Sequence, residues 1–177
     1  TVNGEKILDN VSFNVRPGNK IAVVSDNELR TTLLFQIIAG EVEPDEGEIE
    51  WGQTITSDYF PKDNNYLFTQ DVNLVDWLRQ YSKEQDETYV RGFLGRMLFS
   101  GEDVFKKVPV LSGGEKARCM LSKCMLEGSN FLILDEPTNH LDPETQKIIA
   151  LTFKEFKGTM LIVSHNPSFI DFLDVDR

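Results

Sequence analysis

A serine followed by two adjacent glycines is the most informative segment of this sequence for ligand binding. Ser112, Gly113 and Gly114 stand at a turn before a helix predicted over residues 115–126. Such a turn leaves backbone N–H groups uncovered, and a helix N-terminus attracts anions through those donors and through the helix dipole. The alternative is an ordinary helix cap, in which Ser112 bonds to the first turn. This segment alone does not decide between the two.

Two carboxylates follow an apolar strand pattern further along the chain. Residues 131–134 are Phe, Leu, Ile and Leu, and Asp135 and Glu136 come next. A buried strand delivers such residues to the carboxyl edge of a sheet, where open α/β sheets bind ligands. Asp135 suits the coordination of Mg²⁺, and Glu136 suits orienting or deprotonating an attacking water. Two solvated acids at a strand end are the less favoured interpretation.

Histidines occur at only two positions. His140 lies within the run TNHLD at residues 138–142, and His165 follows a second apolar strand pattern over residues 159–163. A single histidine at a strand end is more often structural. After the pair of carboxylates, a contact with the γ-phosphate of a nucleotide is the favoured interpretation for His165.

The elements that must position these residues alternate along the chain. Strand patterns cover residues 7–15, 21–24, 48–51, 54–60, 131–134 and 159–163, and helix patterns cover residues 31–39, 72–81, 88–99, 115–126, 143–156 and 167–172. The alternation predicts an α/β fold with a largely parallel core sheet flanked by helices. Strand follows strand near the start, which predicts an antiparallel β layer attached to that core.

The domain organisation predicted from these elements is a single domain over residues 1–177. Its core and β layer take residues 1–64 and 127–177, and a small helical subdomain takes about 65–126. Trp77, Leu78 and Tyr81 could contact a partner from that subdomain, although core packing is favoured. The abrupt start and end lead us to expect a fragment of a longer protein.

Composition restricts the class of function. The chain has 18 basic and 29 acidic residues, a net charge of −11, which argues against this segment alone gripping RNA or DNA. It has neither a signal-peptide pattern nor an apolar run long enough for a membrane span. We therefore expect a cytoplasmic segment without direct membrane insertion. Cys119 and Cys124 are expected to be structural thiols.

Three runs carry a family resemblance. LSGGEKAR at residues 111–118, LILDEPTNHLD at 132–142 and IVSH at 162–165 resemble the ATP-binding cassette superfamily of P-loop NTPases. The run DEPTNHLD is similar to the ABC-F subfamily, and the chain resembles the second cassette of that tandem better than the first. Members of that subfamily have no transmembrane domains, and many are translation factors associated with the ribosome.

The resemblance implies roles for individual residues. Ser112 and its neighbours would be the signature motif, Asp135 the Walker B aspartate, Glu136 the catalytic glutamate, His165 the switch histidine and Asp142 part of the D-loop. Two cassettes of this family close head to tail, so that each ATP lies between the phosphate loop of one and the signature of the other. The implied cofactors are ATP and Mg²⁺, and the implied reaction is ATP hydrolysis.

The partners implied by the resemblance follow from that pairing. A second ATP-binding cassette, in the same chain or in a dimer, is required to complete each site. The ribosome is the further partner expected for an ABC-F protein. A membrane permease is the alternative if the chain is the ATP-binding subunit of a transporter.

The phosphate loop departs from the family pattern. A working loop reads G-x-x-x-x-G-K-[ST], in which glycines let backbone N–H groups wrap a phosphate. The equivalent residues 25–32 read SDNELRTT, which has no glycine and is one residue short. Arg30 stands at the lysine position, and Asp26 and Glu28 bring negative charge. Residues other than glycine resist the positive φ angles of such a loop, at about 1 kcal/mol or more each.

Other nucleotide-contacting positions depart as well. Lys62 stands where the family has its Q-loop glutamine, Val2 where an aromatic residue stacks on adenine, and Asn166 where aspartate is usual. The residues still predicted to bind nucleotide are Asn27, Arg30, Thr31, Thr32, Lys62, Ser112, Gly113, Gly114 and Asp142, with Thr31 and Asp135 at the metal ion and Glu136 and His165 catalytic.

These departures suggest an asymmetric pair. The signature is retained, so we expect this cassette to donate Ser112, Gly113 and Gly114 to a competent site on its partner. Its own site is expected to be weak, or to retain nucleotide without turnover, and a non-hydrolysing regulatory cassette is the alternative. A shared site also requires that Ser112 and Glu136 do not lie on the same face within one pocket, and that both are open to solvent.

Overall fold

The structure is a computed structural model that describes residues 1–177. Its sheet has four parallel strands in the spatial order β1-β4-β3-β2. The strands are β1 Lys20–Ala22, β2 Ser57–Phe60, β3 Phe131–Asp135 and β4 Thr159–Val163. The six α-helices are α1 Glu28–Ile38, α2 Leu74–Arg79, α3 Glu87–Arg96, α4 Gly113–Glu127, α5 Pro143–Glu155 and α6 Pro167–Leu173, and 3₁₀ turns occupy Asn65–Phe68, Gly101–Phe105 and Val108–Val110.

The chain divides into two compact units. The first comprises Thr1–Lys62, Asn130–Glu136 and Lys157–Arg177, and it holds the sheet with α1 and α6. The second comprises Asp63–Ser129 and Pro137–Phe156, and it holds α2, α3, α4 and α5. The predicted boundaries at residues 64/65 and 126/127 stay a prediction.

The core of the first unit lies against the sheet. All residues of β3 and β4 are buried, as expected of central strands in a parallel sheet, which are covered on both faces. Phe35 of α1 is completely buried in a cluster with Ile133 and Leu161. Burying a side chain of that size contributes about 1.5–3 kcal/mol, so this contact holds α1 on the strand that carries Asp135.

Polar side chains start every α-helix. Each capping side chain accepts a hydrogen bond from a backbone N–H of the first turn, which contributes about 1 kcal/mol per helix. The caps are Asn27, Asn73, Asp86, Ser112, Asp142 and Asn166. Three of these caps, Asn27, Ser112 and Asp142, are also predicted nucleotide-binding residues. Their side-chain oxygens already accept a backbone hydrogen bond in this structure.

Trp77 and Leu78 belong to the core of the second unit. Both are fully buried, and the Trp77 ring stacks on Phe68 with centroids 4.7 Å apart. The indole Nε1–H donates to the carbonyl oxygen of Leu67 at 2.7 Å. The core-packing interpretation is therefore confirmed for these two residues, and Tyr81 packs edge-on against Trp77.

The parallel-sheet α/β fold is confirmed, but the predicted antiparallel β layer is wrong. Residues 7–15 and 48–51 form no strand, and the nearest antiparallel pairing is the single bridge between Val2 and Glu5. Val11 is 50% exposed, so the alternating pattern of the first segment does not bury a complete face. A two-stranded ribbon is marginal by itself, and these segments pack individual side chains instead, such as Trp51 edge-on against Phe131.

None of the helices in the structure combines the length and the apolar character that crossing a bilayer requires.

Candidate nucleotide-binding site

The end of β3 places the two carboxylates side by side in the first unit. Asp135 is 1% exposed and accepts a hydrogen bond from the Thr32 hydroxyl at 2.8 Å. Glu136 has a φ of 49°, in the left-handed region, and its N–H donates to the carbonyl oxygen of Val163 at 2.9 Å. Positive φ at a residue other than glycine costs about 1–3 kcal/mol and is concentrated at functional sites.

Thr31 and Thr32 have different partners. The Thr31 hydroxyl donates to the carbonyl oxygen of Glu28 at 3.0 Å, and Thr31 is buried. Thr32 supplies the hydroxyl that reaches Asp135. The prediction of Thr31 as a metal ligand stays a prediction, but in this structure it is the Thr32 hydroxyl that bonds to Asp135.

The oxygen atoms at this edge fit a magnesium ion. The Asp135 carboxylate, the Thr32 hydroxyl and the Glu136 carboxylate are hard donors of the kind that Mg²⁺ prefers. The chain has no complete cluster of three or more metal-binding side chains. Mg²⁺ normally takes its remaining ligands from water and from phosphates, so a partial set of protein oxygens is what a nucleotide-bound magnesium needs.

The environment of the Asp135 side chain disfavours its ionised form, because the carboxyl group is buried. Burial raises the pKa of Asp135, and Glu136 nearby adds to the rise. The hydrogen bond from Thr32 and the charge of Lys62 lower the pKa in part. A carboxylate in this situation gains from an incoming cation.

Asp135→Asn is expected to stabilise the folded chain at neutral pH. A raised folded-state pKa means that the native protein holds its proton to a higher pH than the unfolded chain does, so stability is lost as the pH rises through that window. Removing the charge should raise the free energy of unfolding by about 1 kcal/mol. Urea unfolding at several pH values checks this. The gain should vanish below the ordinary aspartate pKa, and a gain that is equal at every pH would contradict the argument.

The loop at residues 25–29 satisfies its own polar groups. The Ser25 hydroxyl donates to the carbonyl oxygen of Asn27 at 3.2 Å and accepts from the Asn27 N–H at 3.1 Å. The Asn27 side chain accepts from the Leu29 N–H at 2.9 Å. None of residues 25–32 has a positive φ, so the expected strain is avoided by a different backbone path. Two N–H groups of this loop therefore point at the loop itself.

Arg30, at the lysine position, pairs with its neighbour. Its Nη1 lies 3.6 Å from an Asp26 carboxylate oxygen, and the two side chains are 52% and 88% exposed. An exposed pair of this kind contributes little to stability. This pair turns the Arg30 guanidinium towards Asp26 and does not fix it over a phosphate.

Glu28 lies between two cationic or hydrogen-donating side chains. One carboxylate oxygen accepts a hydrogen bond from Lys62 Nζ, and the other lies 2.8 Å from His165 Nε2. The hydrogen bond from Lys62, and then the one with His165, lowers the pKa of Glu28. The hydrogen bond to Glu28 in turn raises the pKa of Lys62. Sequence reasoning placed Glu28 at this loop as a negative charge, but it missed the contacts with Lys62 and His165.

Glu136 is buried next to His165. Its Oε2 accepts the His165 backbone N–H at 3.2 Å, and its Oε1 lies 3.2 Å from His165 Nε2. The Glu136 Oε1 atom nevertheless has no hydrogen-bond donor. A single ring hydrogen at Nε2 cannot serve both acids, and the shorter contact is with Glu28. The expectation that Glu136 is open to solvent is wrong, since the residue is only 7% exposed. Of the two residues that a shared site was expected to require in the open, only Ser112 is exposed, so the requirement fails at this cassette's own carboxylate and is met at its signature.

The signature residues lie in the second unit. Ser112 is exposed and caps α4 by accepting the Glu115 N–H at 3.1 Å, while Glu115 accepts the Ser112 N–H at 3.1 Å. The helix-cap interpretation of Ser112 is thus confirmed. It does not exclude the anion-binding one, because a hydroxyl that accepts one bond still has its own hydrogen to donate.

Asp142 and the second glycine are neighbours in the same unit. Asp142 caps α5, where its carboxylate accepts the Thr145 hydroxyl at 2.7 Å and the Thr145 N–H at 3.0 Å. These bonds lower the pKa of Asp142. A Cβ atom on Gly114 would lie 2.9 Å from the Thr145 hydroxyl oxygen, whereas one on Gly113 would meet nothing closer than 3.9 Å. Gly114 therefore has a packing role that the sequence did not reveal.

The predicted residues thus form two groups. The first unit holds Asn27, Arg30, Thr31, Thr32, Lys62, Asp135, Glu136 and His165, and the second holds Ser112, Gly113, Gly114 and Asp142. In the first unit Thr32 bonds to Asp135, and Glu28 joins Lys62 to His165. A sequence profile of the ABC transporter family matches residues 8–139. The chain belongs to the ATP-binding cassette family. Cassettes of this family bind ATP with Mg²⁺ and hydrolyse it.

Individual relatives are consistent with that membership. The chain is 58% identical over 172 residues to the uncharacterized ABC transporter ATP-binding protein YkpA of Bacillus subtilis (strain 168), covering 96% of this cassette and 32% of YkpA. The dimeric structure of a bacterial ABC transporter cassette superposes with a TM-score of 0.78 at 18% identity, covering 96% of this cassette and 85% of that chain. That likeness shows the fold.

A second solved structure covers a similar share of the cassette. It is the complex of an archaeal ribosomal stalk protein with the archaeal ribosome recycling factor aABCE1, with a TM-score of 0.71 at 25% identity. The match covers 90% of this cassette and 31% of that chain. The cassette therefore spans about a third of the length of both YkpA and this second chain.

Proposed function

We propose that this cassette is one half of a head-to-tail pair that binds and hydrolyses ATP, and that its main contribution is its signature helix. The observation that carries the proposal is a contrast between two helix starts. At α4, Ser112 and Gly113 are exposed, and the N–H groups of Gly113 and Gly114 lie outside the capping box that joins Ser112 to Glu115. At α1, the loop bonds to itself and Glu28 takes up Lys62 and His165.

The start of α4 has the features that a triphosphate needs. The helix is 15 residues long, so its dipole is well developed, and free N–H groups in its first turn attract negative charge. Ser112 adds a hydroxyl hydrogen that can be donated to a phosphate oxygen. In a pair, these donors would face the ATP that is held by the phosphate loop of the other cassette.

The cassette's own phosphate loop would bind ATP weakly. Asp135, Thr32 and Glu136 would supply oxygen atoms for Mg²⁺, but two N–H groups of residues 25–32 bond within the loop and are not available to the phosphates. The Glu28 carboxylate lies between Lys62 and His165, which would otherwise bind the phosphates, and its negative charge repels them. We infer that nucleotide at this site is bound loosely, or retained without turnover.

The wider setting is an ABC-F type protein in the cytoplasm. The motifs resemble that subfamily, and relatives three times as long have room for a second cassette. A ribosome partner is supported by the similarity to a ribosome recycling factor. With a net charge of −11, this cassette would leave contact with RNA to other parts of such a protein.

A cassette that regulates without hydrolysing is the second candidate. It is favoured by the contact of His165 with Glu28, whose carboxylate lies 2.8 Å from the ring Nε2 that would otherwise contact a phosphate. In that case the site would keep its fold and its ion pairs, and all turnover would occur at the partner's phosphate loop.

Titrating the 177-residue chain with MgATP tests the proposal. We expect binding no tighter than the millimolar range and no steady hydrolysis, because neither the loop nor an unpaired signature can hold the triphosphate alone. Isothermal titration and a phosphate-release assay measure the two quantities. Micromolar binding with multiple turnovers by the chain alone would refute a weak site.

A further inference from the structure

We propose that Glu28 is an internal anion that takes the place of the nucleotide's terminal phosphate and keeps this cassette's own site closed. The inference rests on the proposed function, since it explains why that site would be weak. Glu28 would then be the residue that sets the nucleotide affinity of this half of the pair.

The contacts of Glu28 are those that an incoming phosphate would need. Its two carboxylate oxygens take the ammonium group of Lys62 and the ring nitrogen of His165, one each. Both partners come from distant parts of the chain, 34 and 137 positions away, so the contact depends on the folded arrangement. A carboxylate and a phosphate accept the same donors, and two anions cannot share them without repulsion.

Glu136 shows the consequence of this arrangement. Its side chain is 6% exposed, and its Oε1 has no donor although His165 Nε2 is 3.2 Å away. A buried carboxylate oxygen without a hydrogen bond is unfavourable. If Glu28 moved away, His165 could donate to Glu136, or to a phosphate placed between them. The site therefore has a second arrangement available, in which Glu28 is replaced.

The alternative role for Glu28 is structural. It is the first residue of α1, and an acid in the first turn of a helix is favoured by the dipole. That role needs only a negative charge at this end of the helix, and Asp26 supplies a second one. The phosphate-mimic role requires the specific contacts with Lys62 and His165, which Asp26 does not make.

The test compares Glu28→Gln with Asp26→Asn in the 177-residue chain. Each variant removes one negative charge from the same exposed loop, but only the first removes the anion between Lys62 and His165. MgATP titration should show affinity tighter by about tenfold or more for Glu28→Gln and by less than about threefold for Asp26→Asn. Circular dichroism checks that both variants are folded.

Two other outcomes separate this inference from the proposed function. Weak binding by the wild type and by both variants alike would overturn the role of Glu28 and leave the weak site explained by the short loop. Tight binding by the wild type would overturn the weak site itself.

A measurement on the wild type alone gives a second readout. The ¹⁵N resonances of the His165 ring should shift when saturating MgATP is added, because the ring then exchanges its contact with Glu28 for one with the phosphate. Saturation with MgATP without any change in the His165 resonances would overturn the inference, because Glu28 would still hold that ring.

Discussion

Replacing Ser112 by arginine is expected to reduce ATP hydrolysis by a two-cassette protein containing this chain by about a hundredfold. The serine hydroxyl and the first-turn N–H groups of α4 are the donors proposed to face the partner's ATP, and a long side chain at this position covers them. Losing one aligned donor to a developing negative charge commonly costs that much in rate. Steady-state phosphate release measures the effect.

Two controls make the Ser112 result specific. Ser112→Thr keeps the hydroxyl and the cap of α4, and should retain most of the activity. Arg30→Ala alters this cassette's own phosphate loop, whose arginine only pairs with Asp26, and should change the rate by less than about threefold. Loss of activity in Arg30→Ala equal to that in Ser112→Arg would contradict the asymmetric pair.

Gly114→Ala is expected to lower the free energy of unfolding by about 1–3 kcal/mol. The added Cβ would lie 2.9 Å from the Thr145 hydroxyl oxygen and 3.1 Å from an Asp142 carboxylate oxygen. Those two oxygens hold each other at 2.7 Å as part of the α5 cap, so neither can withdraw without losing that bond. Urea unfolding of the purified chain measures the difference.

Gly113→Ala is the matched control for that prediction. The two glycines are adjacent in the first turn of α4, but a Cβ on Gly113 meets only Leu141, at an ordinary distance of 3.9 Å. Alanine is favoured over glycine in a helix by about 0.5–1 kcal/mol, so this variant should be as stable as wild type or slightly more stable. Equal stability of the two variants would show that the close approach at Gly114 does not matter.

The parts of the fold that the sequence predicted are those with local signals. Residues 131–134 and 159–163 are unbroken apolar runs, and both became central parallel strands within one residue of the prediction. Ser112 has the residue type of a helix cap, and it caps α4. These features depend on neighbours in sequence, which is why patterns reveal them.

The prediction of an antiparallel β layer was wrong because a strand forms only where another segment pairs with it. Residues 7–15 alternate as a strand does, but whether the pattern forms a strand depends on another segment pairing with it. The short bridge between Val2 and Glu5 is the only pairing near the start of the chain. Alternation in sequence does not report that missing partner.

The candidate site was predicted in its composition but not in its contacts. The absence of glycine and the excess of acids in residues 25–32 indicated a defective loop. The pairing of Glu28 with His165 crosses 137 positions of sequence, so no local pattern shows it. Which of Thr31 and Thr32 faces Asp135 depends on the helical phase after a loop that is one residue short, and each residue turns a helix by about 100°.

The central claim is that this cassette contributes a signature and holds little nucleotide itself. The most direct measurement is an equilibrium count of the ATP bound to a two-cassette protein that contains this chain, at micromolar Mg²⁺-ATP and with hydrolysis blocked at the partner's catalytic glutamate. The account predicts one ATP per pair, lost in Ser112→Arg and retained in Arg30→Ala. Two tightly bound ATP molecules per pair, or one that is lost in Arg30→Ala and kept in Ser112→Arg, would contradict it.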